Sequence, residues 1–231
     1  MTKSLFETTK KKAFFVLKRV FNRPYRQGTH SEMIRSMFQQ QPLFSGEQPV
    51  MVELGAGLTT LTLAEIAAER NAIFYSCDNN EKKIEDIKNK YKSKLDRVIF
   101  MAGDSLESLR SISSRHPKIQ FVFFDSAPSA MHTFKEFMII EKCLTAGTFI
   151  LIDNASIPGQ KQALLTGCRK GKVLVPYLLA SPYWQVSGHP HMGDSMVSAV
   201  CCPEPNYADA DYERPERVDC WSYENNKTVN L

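Results

Sequence analysis

The sequence VMVELGAGLTT, residues 50–60, gives the clearest indication of the architecture of this chain. An apolar, strand-like run leads into a turn with glycines at positions 55 and 57, and a helical pattern follows over residues 59–70. Two glycines so placed permit a tight turn and let a ligand approach the backbone at the start of the helix. A purely structural turn between a strand and a helix has the same pattern. The stretch therefore predicts a strand, a turn and a helix, and does not by itself predict a ligand.

Short β-rich runs and helical stretches alternate from residue 50 to residue 154. The predicted strands are residues 50–54, 73–77, 98–101, 119–124 and 149–152, and the helices between them are residues 59–70, 81–91, 105–112 and 129–143. The strands are continuously apolar, as burial on both faces of a sheet requires. The pattern predicts an α/β fold with a mostly parallel sheet and helices on both faces. Residues 172–180 and 195–201 are expected to close one edge as an antiparallel strand pair, with an irregular connection at 181–193.

Composition and charge bound the class of protein. The 231 residues are 43% hydrophobic and 23% charged, which fits one globular domain with short extensions. No apolar run approaches the roughly 20 residues that cross a bilayer, and the six cysteines form no CxxC pair. We therefore expect a cytoplasmic protein with reduced thiols. The net charge is +6 over residues 1–24 and −4 over residues 203–231, so we expect a basic helical extension (1–28), a folded domain (29–202) and an acidic extension (203–231). Opposite charges at the two ends would suit a homodimer.

Acidic or hydroxyl residues stand at the ends of the first three predicted strands. Because ligands of open α/β sheets bind at the carboxyl ends of the strands, these side chains are candidate ligand contacts. Glu53 beside the glycine turn disfavours a phosphate and favours a cationic ligand such as S-adenosylmethionine (SAM). Asp78 suits the ribose hydroxyls of SAM or NAD, and Asp104 with Ser105 suits an adenine amino group. For Asp78 and Asp104, a helix N-cap is the structural alternative.

The order of these residues resembles the class I SAM-dependent methyltransferases. FFDS at 123–126 and LIDN at 151–154 look like the metal-dependent small-molecule O-methyltransferases of the catechol and caffeoyl-CoA type, over roughly residues 29–202. The resemblance implies a Rossmann-like sheet of seven strands and a divalent cation, Mg²⁺ or a similar ion, held by Asp125, Asp153 and Asn154. Hard oxygen donors of this kind suit Mg²⁺. The cofactor residues that it implies are Glu53, Gly55, Gly57, Asp78, Asp104, Ser105 and Asp125.

One position departs from the catechol-type pattern. The lysine that lies three residues beyond the first metal-binding aspartate in that family is Pro128 here. His132 and Lys135 follow, and His132 is the candidate for acid–base catalysis, with an ordinary exposed side chain as the alternative. Arg169, Lys170 and Lys172 are expected in a solvated turn, with recognition of an acidic group of the substrate as the alternative. The aromatic pair at 183–184 is expected either to cover the acceptor or to pack.

The sequence therefore predicts methyl transfer from SAM to an oxygen of a small-molecule acceptor, assisted by Mg²⁺ and catalysed by Asp125 and His132. Two alternatives stay open. One is metal-independent methylation of a nitrogen or of a macromolecule, and the other is a non-catalytic nucleotide-binding module on the same fold. The core has no basic stripe interleaved with aromatic residues, which argues against a nucleic-acid partner.

Overall fold

The computed structural model of the chain describes residues 27–40, 48–157, 170–191 and 194–204. The chain divides into two compact units, residues 1–40 and 41–231. In the first unit, helix α1 spans Gln27–Gln40. Nearly all of the predicted basic extension, and the predicted acidic extension beyond residue 204, lie outside the described residues. Within the described ranges, no helix combines the length and apolar character needed to cross a membrane.

The second unit alternates strands and helices in the predicted manner. The elements are β1 (Val50–Leu54), α2 (Thr59–Glu69), β2 (Ile73–Asp78), α3 (Glu81–Lys90), β3 (Val98–Ala102), α4 (Ser105–Arg115), β4 (Ile119–Phe124), α5 (Ala130–Ile140), β5 (Leu144–Asp153), α6 (Gly171–Ala180), β6 (Trp184–His191) and β7 (Asp194–Cys201). Single 3₁₀ turns follow α3 at Lys92–Lys94 and α5 at Glu141–Cys143.

The seven strands of the described residues form one sheet in the order β3-β2-β1-β4-β5-β7-β6. The five strands β1 to β5 are parallel to one another, while β7 runs antiparallel to both β5 and β6. The predicted Rossmann-like, mostly parallel sheet with an antiparallel pair at one edge is thus confirmed. The chain order reverses between β1 and β4, which is the point where open α/β sheets bind their ligands.

Alternate residues of the strands pack against helices on opposite faces of the sheet. Helices α4, α5 and α6 cover one face, where buried side chains such as Leu109, Phe137 and Leu174 join Val52 and Val122 in the main core. Met51, Glu53, Phe121 and Phe123 alternate with these strand residues and are also buried, on the other face. Burial on both faces explains the continuous apolar runs of the strands.

Two segments after residue 170 differ from the prediction. Residues 171–180 form helix α6 and not a strand, because Gly171, Leu174, Val175 and Leu178 recur at helical spacing and bury one side. Residues 184–191 form strand β6 within the connection that was expected to be irregular. The strand pairs with β7 along its whole length, and Pro190 is tolerated because β6 is the outer strand.

Candidate functional site

A cavity of about 420 Å³ opens at the carboxyl ends of strands β1 to β4. This volume lies within the usual range of small-ligand sites. Five of the seven predicted cofactor residues line the cavity, as does the predicted acid–base residue His132. These five are Gly55, Asp78, Asp104, Ser105 and Asp125. Residues that are far apart in the chain are therefore brought to one edge of the sheet.

Gly55 fits a position that no other residue could occupy without strain. Its φ is +104°, and a Cβ atom there would lie 2.3 Å from the backbone oxygen of Asp125. Its N–H donates to the carbonyl of Cys77 at 2.7 Å. The first glycine of the turn thus lets the loops after β1 and β4 touch, whereas a Cβ on Gly57 would meet nothing closer than 3.9 Å. Gly57 is placed in the turn but away from the lining of the cavity.

Glu53 does not line the cavity, in contrast to the prediction. The side chain is fully buried, and its carboxylate accepts hydrogen bonds from the hydroxyls of Thr59 (2.8 Å), Thr60 (2.6 Å) and Ser76 (2.6 Å). Burial raises the pKa of Glu53 to about 7, although the three hydroxyls and Lys83 oppose the shift. The residue ties the glycine turn to the start of α2, and its charge is therefore a weaker guide to the ligand than the sequence suggests.

Asp78 ends strand β2 and faces the cavity with a nearly buried carboxylate. One oxygen accepts from the N–H of Asn80 at 2.9 Å, and the other accepts from the ammonium of Lys83 at 2.8 Å. The N-cap of α3 is Asn80, whose side chain accepts from the N–H of Lys83, so Asp78 is not the cap that the structural alternative proposed. A carboxylate has about four lone-pair positions, which leaves acceptors for further donors.

Asp104 and Ser105 begin helix α4 at the end of β3. Asp104 is the N-cap and accepts from the N–H groups of Leu106 (2.8 Å) and Glu107 (3.3 Å), so the capping alternative holds for this residue. It still lines the cavity. The capping bonds fix the direction of the carboxylate.

Glu136 is a buried carboxylate that the sequence analysis did not single out. Its Oε1 accepts from the hydroxyls of Ser105 (2.5 Å) and Ser126 (2.6 Å) and lies 3.1 Å from Nε2 of His132. Nε2 of His132 is also 2.8 Å from the Ser105 hydroxyl oxygen. The Ser105 hydroxyl and Nε2 of His132 thus both contact Oε1 of Glu136, which joins the end of β3 to helix α5.

Lys170 lies between the two aspartates that were predicted to bind a metal. Its ammonium contacts Asp125 Oδ1 and lies 3.2 Å from Asp153 Oδ2. The lysine side chain is only 5% exposed, so the expectation of a solvated turn is wrong at this residue. Burial lowers the pKa of the Lys170 ammonium, but the charges of Asp125 and Asp153 outweigh burial and leave the pKa raised.

Asp125 is the more accessible of the two carboxylates. Its side chain is 32% exposed, against 10% for Asp153. Burial and the neighbouring charge of Asp153 raise the pKa of Asp125, and Lys170 opposes them. Asn154 follows in a turn with a φ of 50°, a left-handed conformation that asparagine tolerates.

These residues do not fit an open magnesium site. Mg²⁺ needs free oxygen ligands in octahedral arrangement, and an ammonium already bridges the two carboxylates. In the part of the chain that the structure describes, no group of three or more His, Cys, Asp and Glu side chains is arranged to hold a metal. The predicted Mg²⁺ therefore stays a prediction from the resemblance alone.

Of the aromatic residues Tyr183 and Trp184, only Trp184 packs in the core. Trp184 starts β6 and packs against the main core, with its ring 6.0 Å from that of Phe137, and Tyr183 is about half exposed. His189 donates to or accepts from Ser198 within the β6–β7 pair at 2.7 Å. Neither contact belongs to the cavity.

Comparison with known proteins gives a family match and several structures with a similar fold. Residues 52–155 match a family model described as a methyltransferase domain. The fold is similar to an O-methyltransferase from Bacillus cereus in complex with SAH, with a TM-score of 0.58 and 18% identity over 82% of this chain and 89% of that chain. It is also similar to the O-methyltransferase TomG from Streptomyces achromogenes in complex with SAM, with a TM-score of 0.54 and 13% identity over 77% of this chain and 90% of that chain.

A third similar structure is fibrillarin in its complex with Nop5p, with a TM-score of 0.52 and 15% identity over 74% of this chain and 81% of that chain. No curated protein matches the sequence. At such identities these likenesses establish the fold alone. Residues 52–155 match the model of a methyltransferase domain, and the fold is the Rossmann-like fold that the sequence predicts.

Proposed function

We propose that this chain binds SAM in the cavity beyond β1 to β4 and transfers its methyl group to an oxygen atom of a small-molecule acceptor. One observation carries the proposal: acidic residues from three strand ends, Asp78, Asp104 and Asp125, line a single cavity of ligand size within a methyltransferase domain. Their oxygens can accept hydrogen bonds from the hydroxyl, amino and ammonium groups of SAM, while Lys83 and Lys170 pair with Asp78 and Asp125.

The position of each acid suggests how SAM would lie. Asp78 at the end of β2 would accept hydrogen bonds from the ribose hydroxyls, and Asp104 with Ser105 at the end of β3 would meet the adenine. Gly55 and Asp125, at the ends of β1 and β4, would then lie beside the methionine part and the transferred methyl group. An extended SAM molecule would run across the carboxyl edge of the sheet from β3 towards β4.

Methyl transfer needs the acceptor oxygen in line with the carbon–sulfur bond of SAM. The oxygen forms a bond to the methyl carbon, the carbon–sulfur bond breaks, and the oxygen loses its proton. In this chain Asp125 is the partly exposed carboxylate beside the proposed methyl position, so it is the group placed to hold the acceptor or to take that proton.

His132 also lines the cavity. Its hydrogen bond to Ser105 puts it beside the proposed adenine position, and its acid–base role stays a prediction. Two further expectations also rest on the sequence alone, a cytoplasmic location and a homodimer.

Titration calorimetry of the full chain with SAM, SAH, NADH and ATP tests the cofactor. We expect saturable binding of SAM and SAH only, and a roughly 10- to 100-fold weaker affinity in Asp78→Asn, because hydrogen bonds to a charged acceptor are lost. Asp86→Asn on the exposed side of α3 is the matched control and should bind like the wild type. Binding of NADH or ATP in place of SAM would contradict the proposal.

The acceptor is tested with methyl-labelled SAM. We expect label in small hydroxylated compounds and none in RNA or protein. Label that enters only RNA or protein would replace the small-molecule proposal with the macromolecular alternative.

A further inference from the structure

The contact between Lys170, Asp125 and Asp153 joins three separate parts of the chain. Asp125 follows β4, Asp153 ends β5, and Lys170 precedes α6, so 45 and 17 residues separate the lysine from its two partners. All three side chains meet at the carboxyl edge of the sheet. There they stand where the family resemblance implies a divalent cation.

The local packing brings Lys170 to this place. Gly171 is the first residue of α6, and a Cβ atom there would lie 2.5 Å from the Cβ of Ala155. The absence of that atom lets the start of α6 lie directly against the chain two residues after Asp153. Lys170, the N-cap residue, is thereby held beside the end of β5 with its side chain buried.

The position between the two carboxylates is already taken by a cationic side chain, the ammonium of Lys170. Two carboxylates close together repel each other and need a positive partner when they are both ionised. Lys170 supplies one positive charge, reaches both carboxylates and is itself desolvated. A Mg²⁺ ion at the same oxygens would have to displace the ammonium or lie in contact with a like charge.

We propose that Lys170 is a built-in cation that takes the place of the divalent metal, holds Asp125 and Asp153 in position, and makes this chain independent of added metal. Lys170 is a positioning residue, because it acts through the two aspartates. The last part of the inference rests on the proposed methyl transfer, whereas the exclusion of metal by Lys170 does not.

The inference narrows the class of acceptor. A divalent metal can take both oxygens of a vicinal diol and orient them together. A single ammonium bound to two carboxylates offers no such pair of positions. The acceptor of this chain therefore needs one hydroxyl, and a second hydroxyl beside it should give no advantage.

The test compares metal binding by the wild-type chain with that of Lys170→Ala and Lys170→Met, using calorimetry with Mg²⁺ and Mn²⁺ alone. Lys172→Ala, an exposed lysine two residues away on α6, is the matched control. We expect no saturable binding by the wild type or by Lys172→Ala. We expect both Lys170 variants to gain one metal site, which the further change Asp153→Asn should remove, since an uncompensated pair of carboxylates attracts a cation.

Saturable metal binding by the wild type that Asp153→Asn abolishes would overturn the inference. Folded Lys170 variants that bind no metal would overturn it as well, and if neither variant folds, the wild-type measurement decides alone. None of these readouts depends on SAM, so a chain that proves not to be a methyltransferase is recognised separately by the cofactor titrations. With an acceptor in hand, EDTA should leave the wild-type rate unchanged, and Mg²⁺ should restore part of the rate of Lys170→Ala.

Discussion

Replacing the buried Glu53 by glutamine should change how stability depends on pH. Glu53 is completely buried, and burial raises its pKa from 4.5 to about 7. Glutamine has nearly the same shape, and its amide can still exchange hydrogen bonds with the hydroxyls of Thr59, Thr60 and Ser76. The substitution thus removes the titration and keeps most of the packing.

The direction and size of the effect come from linkage. The folded state holds the proton of Glu53 more tightly than the unfolded state does, so ionisation costs stability as the pH rises from about 4.5 to about 7. A shift of about 2.5 units corresponds to about 3 kcal/mol. The free energy of unfolding of Glu53→Gln, relative to the wild type, should therefore rise by about 3 kcal/mol between pH 4.5 and pH 8 and then become constant.

Urea unfolding followed by circular dichroism at intervals of pH measures this difference. Glu85→Gln, an exposed residue of α3, is the control and should follow the wild-type profile. The comparison isolates Glu53, because the other titrating groups are common to both chains. Parallel profiles for wild type and Glu53→Gln would refute the reasoning that burial dominates this carboxyl group.

Two further predictions concern the loops and the thiols around the cavity. Gly55→Ala should lower the free energy of unfolding by more than about 3 kcal/mol, because strain at φ +104° adds to a backbone clash. Gly147→Ala, at φ +83° with open space around its Cβ, should lower it by only about 1–2 kcal/mol. Equal losses in urea unfolding would contradict this reasoning. Burial raises the pKa of the Cys77 thiol to about 12, so Cys77 should stay unmodified by a thiol reagent at pH 8 in the folded chain and react in urea. Peptide mass spectrometry measures the modification, and a modified Cys77 in the folded chain would contradict the burial argument.

The parallel part of the sheet could be predicted because burial on both faces leaves a direct trace in the sequence. The first four strands start where their apolar runs start, and β1 and β4 agree at both ends. Strand β5 begins five residues earlier than predicted. The added residues 144–148 mix a leucine and an alanine with a glycine and two threonines, and their register against β4 shifts between Ile119 and Phe121. Such a mixed segment has no continuous apolar run to detect.

The later elements could not be read in the same way. The run that forms α6 is rich in residues that favour strands, and it contains Pro176. Only the helical spacing of its buried positions distinguishes it from a strand. Strand β6 contains a glycine and a proline, which an outer strand tolerates because one of its edges has no partner.

At the site, the positions of strand ends could be predicted and the partners of side chains could not. Asp78, Asp104 and Asp125 reach the cavity because the topology places every strand end at one edge. Lys170 comes from a distant part of the chain and has no spacing rule that connects it to Asp125. Pro128 shows only that the lysine of the catechol-type pattern is missing, and it does not point to Lys170.

The contacts of Glu136 determine how rigid the cavity is. Through this one carboxylate, Ser105 at the end of β3 and Ser126 after β4 are joined to helix α5, so two loops that line the cavity share a single buried anchor. Moving these loops apart would break several hydrogen bonds to one buried side chain at once. We expect the cavity to have its binding shape before the ligand arrives, so that little ordering entropy is lost on binding and the adenine end discriminates sharply between bases.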